Sequence, residues 1–400
     1  MRIKPLPATF ALGLGTLVSH GFGLSLVPAM LPRIDAEFQS GYGVLGVAVA
    51  TGLIAYAVGS LLAPPILRVI PTRALLIGTF ALTGAGFVVS AVASSPIYIS
   101  AAVILLGISA PISWTATIHV ARESIAPDSL SIVSAGASGG AAVGVILNGV
   151  LVSTSGSVHG WRVSFWIAAV IAGVTIAITR LIFRKPIAKP DSSRTSLMTV
   201  FRKVIADRSG RMIVATSAVS GVAVFTLATF LTATSIDEMG ASDTATASLL
   251  WIAGTVGVIS AFVFGRFGDR RTPILAIAIA MASYATALVV LVVGWSYPVL
   301  VVAVVGYGIL NGPVWGLMGA TATRRFSAEM AVGAIALGLA AASVVGAVGN
   351  SIAGWWIETT GSMRGPALIL ALLTSALTIY LIVESSRTAN AATPVAQSGA

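Results

Sequence analysis

Twelve apolar runs, each close to the ~20 residues a helix needs to cross a bilayer, leave this chain few ways to fold. They lie at roughly Phe10–Leu31, Val44–Ala63, Leu75–Val92, Ile97–His119, Ile132–Val152 and Val163–Phe183. The second set is Met212–Leu231, Ala245–Phe264, Pro273–Val293, Tyr297–Ala322, Ala331–Ile352 and Pro366–Val383. The expected fold is an all-α integral membrane protein with 12 transmembrane helices. Composition excludes a water-soluble globule: 9% of the 400 residues are charged and 56% are hydrophobic, whereas soluble domains carry about 25% charged residues.

The basic residues orient the spans. With the N-terminus inside, twenty of the 23 lysines and arginines fall on that side, and only Arg33, Arg162 and Arg364 fall outside. A missing or extra helix would scramble this partition. Both termini are therefore expected in the cytoplasm of a cell whose plasma (inner) membrane the chain spans. The formal net charge of +10 is a topology signal, and no nucleic acid partner is expected. Cysteine is absent, which excludes disulfides, thiol catalysis and cysteine-held metals. Met1-Arg-Ile-Lys-Pro5 leads into the first run with no A-x-A-like site at its end, so it reads as a first membrane helix and not as a cleaved signal.

The widest break in hydrophobicity divides the chain. Residues 1–183 read as an N-terminal six-helix bundle, 184–211 as a cytoplasmic linker, 212–384 as a C-terminal six-helix bundle and 385–400 as a disordered tail. The linker holds eight basic and two acidic residues. Within it Leu197, Val200, Phe201, Val204 and Ile205 recur at helical spacing beside Arg202, Lys203 and Arg208, as in an amphipathic helix lying on the inner leaflet.

The eighth and ninth spans are joined by Val263-Phe-Gly-Arg-Phe-Gly-Asp-Arg-Arg-Thr-Pro273, a short basic hairpin tip. Gly265 and Gly268 are expected to let backbones approach at the turn, and Asp269 to hold an arginine or cap a helix start. The order G-x-F-G-D-R-R resembles the loop motif of the major facilitator superfamily, G-x-L-A-D-R-x-G-R-R, over its first six positions. That resemblance implies a transporter whose twelve helices form two homologous halves. The corresponding first-half stretch, Gly59 to Arg73, is worn: Arg68 stands where the aspartate belongs and Pro71 where a glycine belongs. If this loop locks the halves through its carboxylate, the resemblance implies an asymmetric lock through Asp269. Arg68, Arg73, Gly265, Arg270 and Arg271 complete the gating set. Gly160-Trp-Arg-Val-Ser-Phe165 resembles the G-W-R-x-x-F that opens the sixth helix in that superfamily. Gly140-Ala-Ala-Val-Gly144-Val-Ile-Leu-Asn148-Gly149 resembles its antiporter motif, with Val145 in place of the proline. Generic small-residue packing explains this last stretch equally well.

None of the 13 acids falls mid-span, and the one titratable group near a midplane is His20. An imidazole there can bind and release a proton. Asp35, beside Arg33 just past the first span, is a second proton-coupling candidate at an outer gate. The resemblance puts the substrate between the halves, so polar and aromatic residues at mid-depth are the binding candidates. On the tenth span Tyr307, Asn311 and Trp315 stand at i, i+4 and i+8, one face of one helix. His20, Tyr56, Trp114 and Asn148 are expected to complete the wall. Aromatic faces with a few amides suit an amphipathic or planar organic molecule better than a sugar. No ATP-binding loop, metal cluster or nucleophile motif is present, so no cofactor and no enzyme activity is expected. The reading is a monomeric secondary transporter in the lipid bilayer that exports a small organic solute with the proton as coupling ion. Its rival is proton-linked uptake of an organic acid, with Arg162 or His20 meeting the carboxylate.

Overall fold

The computed structural model describes residues 5–124, 130–155, 159–183 and 197–391. The first span is broken: α1 (Pro5–Thr16) passes through a π-helical segment, Leu17–Phe22, into α2 (Gly23–Ala29), and a short α3 (Leu31–Phe38) follows. Five more long helices complete the first half: α4 (Gly41–Val69), α5 (Thr72–Ala91), α6 (Pro96–Ser124), α7 (Leu130–Thr154) and α8 (Trp161–Ile182). After α9 (Leu197–Ala206) come α10 (Arg208–Ala233), a second π segment (Thr234–Glu238), α11 (Asp243–Arg270) and α12 (Pro273–Val293). The chain ends in α13 (Tyr297–Arg325), α14 (Ala328–Thr360) and α15 (Arg364–Ala391). Eleven of these helices are long and apolar enough to cross a membrane, and α7 supplies the twelfth.

The same pairings recur in both halves. In the first, α4 packs on α6, α5 on α6 and α8, and α1 on α7; in the second, α11 packs on α13, α12 on α13 and α15, and α10 on α14. Counting spans, these are identical positions offset by six. The halves meet through α4 on α14, α7 on α11 and α2 on α10.

A repeated polar device fixes each half. Asn148, fully buried on α7, donates from Nδ2 to the Gly21 carbonyl (3.2 Å) and to Ser25 Oγ (3.0 Å) of the first span. Asn350, fully buried on α14, donates from Nδ2 to Thr229 Oγ1 of α10 at 2.9 Å. Each amide thus bolts the fifth span of its half to the first. Around Asn148 the close approach depends on glycine: a Cβ on Gly140 would run into the Gly13 carbonyl, and one on Gly144 would lie 2.5 Å from the Gly21 Cα. Gly140 and Gly144 are therefore helix-packing positions, and Asn148 is a bolt within the first half; it does not line the central cavity, whereas Ala141, Ala142 and Val145 of the same stretch do.

The linker helix and the last helix each differ from expectation in one respect. Helix α9 forms where the linker pattern predicts it, but it buries Val200 and Val204 against α14 and α10, so part of its apolar face meets protein, not lipid. Arg202 and Lys203 stay exposed. The last helix continues to Ala391, well into the stretch read as tail, because Ala389 and its neighbours favour helix as readily as coil. Residues 184–196 of the expected linker and 392–400 of the expected tail lie outside the described residues.

Candidate functional site

A cavity of about 460 Å³ lies between the halves, within the range of small-molecule sites. Its first-half wall carries His20, Tyr56 and Trp114; its second-half wall carries Phe225, Tyr307, Asn311 and Trp315. From there it extends along α11 to Gly265, Gly268 and Asp269, at the end of the bundle with the basic hairpin.

His20 sits in the π segment of the first span, the kind of local backbone irregularity often found at functional positions. Its ring stands edge-on to Trp114 (centroids 5.9 Å apart) and Tyr56 (6.3 Å). Ser19 Oγ spends its one hydrogen on the Gly15 carbonyl at 2.9 Å and lies 2.9 Å from His20 Nδ1. A neutral ring with its proton on Nδ1 would donate to this hydroxyl. That leaves Nε2 as an acceptor, with no hydrogen-bond partner among the described residues.

The stripe on α13 behaves as its spacing predicts. Asn311 Nδ2 donates to Tyr307 Oη at 3.3 Å, and Trp315 Nε1 donates to Asn311 Oδ1 at 3.2 Å. Each contact spans one helical turn, so the amide is locked between two aromatic neighbours. Phe225 of α10 stacks on Trp315, centroids 6.0 Å apart and planes at 13°. Sequence reasoning missed Phe225: it lies in an unbroken apolar run, and only the fold brings it to Trp315.

The end opposite the hairpin is closed by polar contacts between the halves. Arg33 pairs with Asp243 at 2.7 Å, and Tyr42 Oη donates to Asp237. The Gly43 amide donates to Glu358 Oε2 at 2.8 Å, and Thr232 Oγ1 donates to the Pro28 carbonyl at 3.0 Å. A Cβ on Gly43 would run into Glu358 Oε2, so any other residue there would push that carboxylate aside. Arg33 is thus a bridging residue, but its partner is Asp243. Asp35 instead accepts from the Gly41 amide at 2.8 Å, where it stabilises the turn into α4 and does not face the cavity.

Near the same end, the Gly160–Phe165 stretch organises a clamp around Glu37. Trp161 Nε1 donates to Glu37 at 2.8 Å, Arg162 pairs with the same oxygen, and His159 lies 3.1 Å from it. Arg162 also donates to the Ala93 carbonyl at 2.6 Å and lies 4.4 Å from the Trp161 ring centroid. Burial pushes the Glu37 pKa up, but the hydrogen bonds from Arg162, His159 and Trp161 outweigh it and hold the group at about 2. Arg162 is therefore occupied away from the cavity and is not placed to meet a substrate carboxylate.

At the hairpin end, α11 runs helically through Gly265 and Gly268 to Arg270, so neither glycine makes a turn. A Cβ at Gly265 would meet nothing within 4 Å, whereas one at Gly268 would meet Leu317 at 2.8 Å. The cap of α12 is Thr272, whose Oγ1 accepts from the Leu275 amide at 3.2 Å. Asp269 pairs with Arg324 of α13 at 3.0 Å, inside its own half. Arg270 and Arg271 are exposed; Arg73 donates to the Arg180 carbonyl at 3.4 Å, and Arg68 is half-buried at the end of α4. In this conformation the Asp269 carboxylate does not bridge the halves.

The Major Facilitator Superfamily model matches residues 12–349. The chain belongs to that family. Among solved structures, this superfamily member is similar to a mutant form of the nucleoside transporter NupG, with a TM-score of 0.77 at 10% identity over 94% of this chain and 99% of that one. It is also similar to a D-xylose-proton symporter, with a TM-score of 0.72 at 15% identity over 94% and 97% of the two chains. No curated protein matches at the sequence level. At these identities the likeness is one of fold. Family and fold together make the chain a multi-pass membrane protein of transporter architecture.

Proposed function

We propose that this superfamily member is a secondary transporter that carries a small organic solute across the plasma membrane by alternating access. The supporting observation is one cavity between two halves, reaching one end of the bundle while breakable polar contacts hold the other shut. Rocking the halves would break the Arg33, Tyr42 and Gly43 contacts and close the hairpin end, exposing the same walls to the other side. With the basic loops in the cytoplasm, the conformation seen is inward-facing and both termini are cytoplasmic. Tyr307, Asn311 and Trp315 bind the solute in this reading, and His20 takes up the coupling proton at Nε2. The side chains set against His20 are Ser19, Tyr56 and Trp114, and the nearest carboxylate lining the cavity is Asp269 at its mouth. A monomer suffices, because the site is complete within one chain.

Export is the direction implied by the Gly140–Gly149 resemblance. Proton-linked uptake is the second reading, favoured by the fold likeness to a D-xylose-proton symporter. Everted and right-side-out vesicles loaded with a solute library separate them by the direction of accumulation. If neither preparation accumulates any solute, with or without a proton gradient, the transport reading fails.

A further inference from the structure

The cavity walls are specific about what they leave unsatisfied. Most hydroxyls along them are already committed: Thr16 donates to the Gly13 carbonyl, Ser25 to that of Gly21 and Ser343 to that of Leu339. Among the described residues, a few lining groups keep hydrogen-bonding capacity to spare. These are His20 Nε2, the hydroxyl hydrogens of Tyr56 and Tyr307, the indole N–H of Trp114 and the amide of Asn311.

That amide is the most constrained of them. Two N–H donors and two acceptor sites are available to an asparagine side chain. One donor is spent on Tyr307 and one acceptor on Trp315. What remains is one N–H beside one lone pair, on a group whose rotation is blocked from both sides. Such an edge pairs bidentately with a partner that presents an adjacent acceptor and donor, the geometry by which asparagine reads an adenine edge. Next to it, the near-parallel Phe225–Trp315 pair offers a flat π surface. Charge is disfavoured: the described lining residues include one histidine, His20, and one carboxylate, Asp269, which is already paired with Arg324. An anion could be balanced only by a protonated His20 and a cation only by that already paired carboxylate, so a neutral ligand is the least costly to bury.

We infer that the cavity's recognition element is the Phe225–Trp315 plate together with the free edge of Asn311, and that it selects a neutral, planar heterocycle carrying a donor and an acceptor side by side, as in a cyclic amide or amidine. This rests on the reading that the central cavity is the cargo site. Phe225 and Asn311 are the specificity residues, one for flatness and one for the hydrogen-bonding edge. A polyol meets too few free polar groups to replace its water.

The test is equilibrium binding to the purified full chain in detergent. The probes are radiolabelled uracil, hypoxanthine and adenine, with 1,3-dimethyluracil, benzoate and D-xylose as competitors. At least one ring probe binds, 1,3-dimethyluracil competes at least about tenfold more weakly than uracil, and benzoate and xylose compete least. Phe225→Leu, which keeps apolar volume, weakens the ring probes about tenfold, in line with the cost of losing a stacking surface. Asn311→Leu removes the discrimination between uracil and its dimethyl form. A monodisperse size-exclusion peak and an unchanged melting temperature exclude misfolding as the cause. Failure of all three probes to bind at millimolar concentration, stronger competition by xylose or benzoate, or undiminished binding in Phe225→Leu overturns the inference. Transport is scored separately, by counterflow in proteoliposomes over the solute library. If another solute class exchanges while the ring probes do not bind, the transport reading stands and the specificity fails. If the ring probes bind and no solute exchanges, the reverse holds.

Discussion

At the scale of single residues, three asparagines and one histidine have different tasks that the sequence does not separate. Asn148, Asn350 and Asn311 are all amides at mid-depth in long apolar helices. The first two spend their Nδ2 donors on a neighbouring helix and are shut away; only the third lines the cavity. Asn148→Ala and Asn350→Ala should each lower stability by about 1 kcal/mol, a typical size for an interhelical hydrogen bond in a membrane protein. Melting curves in detergent measure this, and the ligand affinity of the remaining folded protein should be unchanged. For His20, Nδ1 is committed to Ser19 and Nε2 is free to take a proton. His20→Ala should therefore flatten the pH dependence of transport, read in proteoliposomes with the gradient collapsed. An unchanged profile would leave the imidazole a purely structural role.

At the scale of elements, the Glu37 clamp ties α3 to α8 and to the connection between α5 and α6. Its carboxyl is held at about 2 against an ordinary 4.5. A depressed folded-state pKa contributes stability that is fully present above the unfolded value and is lost as pH falls through the folded one. Glu37→Gln should accordingly lower the melting temperature at neutral pH. The gap to the unmodified chain should begin to close below pH 4.5 as the native carboxylate starts to lose its advantage; thermal scans from about pH 7 down to about pH 3 record it. Most of the helices were legible in the sequence because apolar run length and charge exclusion are both imposed by the bilayer. Two features were not. The π segment at Leu17–Phe22 leaves no mark in composition, since one extra residue in a turn keeps the same apolar pattern. Gly265 and Gly268 are expected at a turn, and the Thr272 cap is not anticipated, because a helix prolonged beyond the bilayer reads, by hydrophobicity alone, as loop. The α13 stripe was legible because i, i+4, i+8 spacing fixes a face without knowledge of any neighbour, whereas Asn148 and Phe225 depend on which helix comes to lie opposite.

At the scale of the whole molecule, the halves keep most of their packing to themselves and meet most polarly at one end. Removing a cross-half contact there should shift the balance of states rather than unfold the protein. A partly exposed ion pair such as Arg33–Asp243 is worth about 1 kcal/mol at most, or about a fivefold change in the ratio of conformations. Arg33→Ala should therefore raise the reactivity of a probe placed in the cavity from the far side by up to about fivefold. Because the native chain has no cysteine, a single Ser343→Cys in each background gives that measurement without competing thiols. Equal labelling rates would mean that the bridge does not gate the cavity. The one-ended seal has a further consequence. Electrolyte bathing that face weakens the Arg33–Asp243 attraction little at about 0.1 M, where the screening length of about 10 Å far exceeds their 2.7 Å separation. Near about 1 M, where that length falls to about 3 Å, it weakens the attraction more, while the apolar contacts deeper between the halves carry no charge to screen. At high concentration the saltiness of the medium on that side would thus itself be a weight on the balance between the two conformations, acting with no bound effector at all.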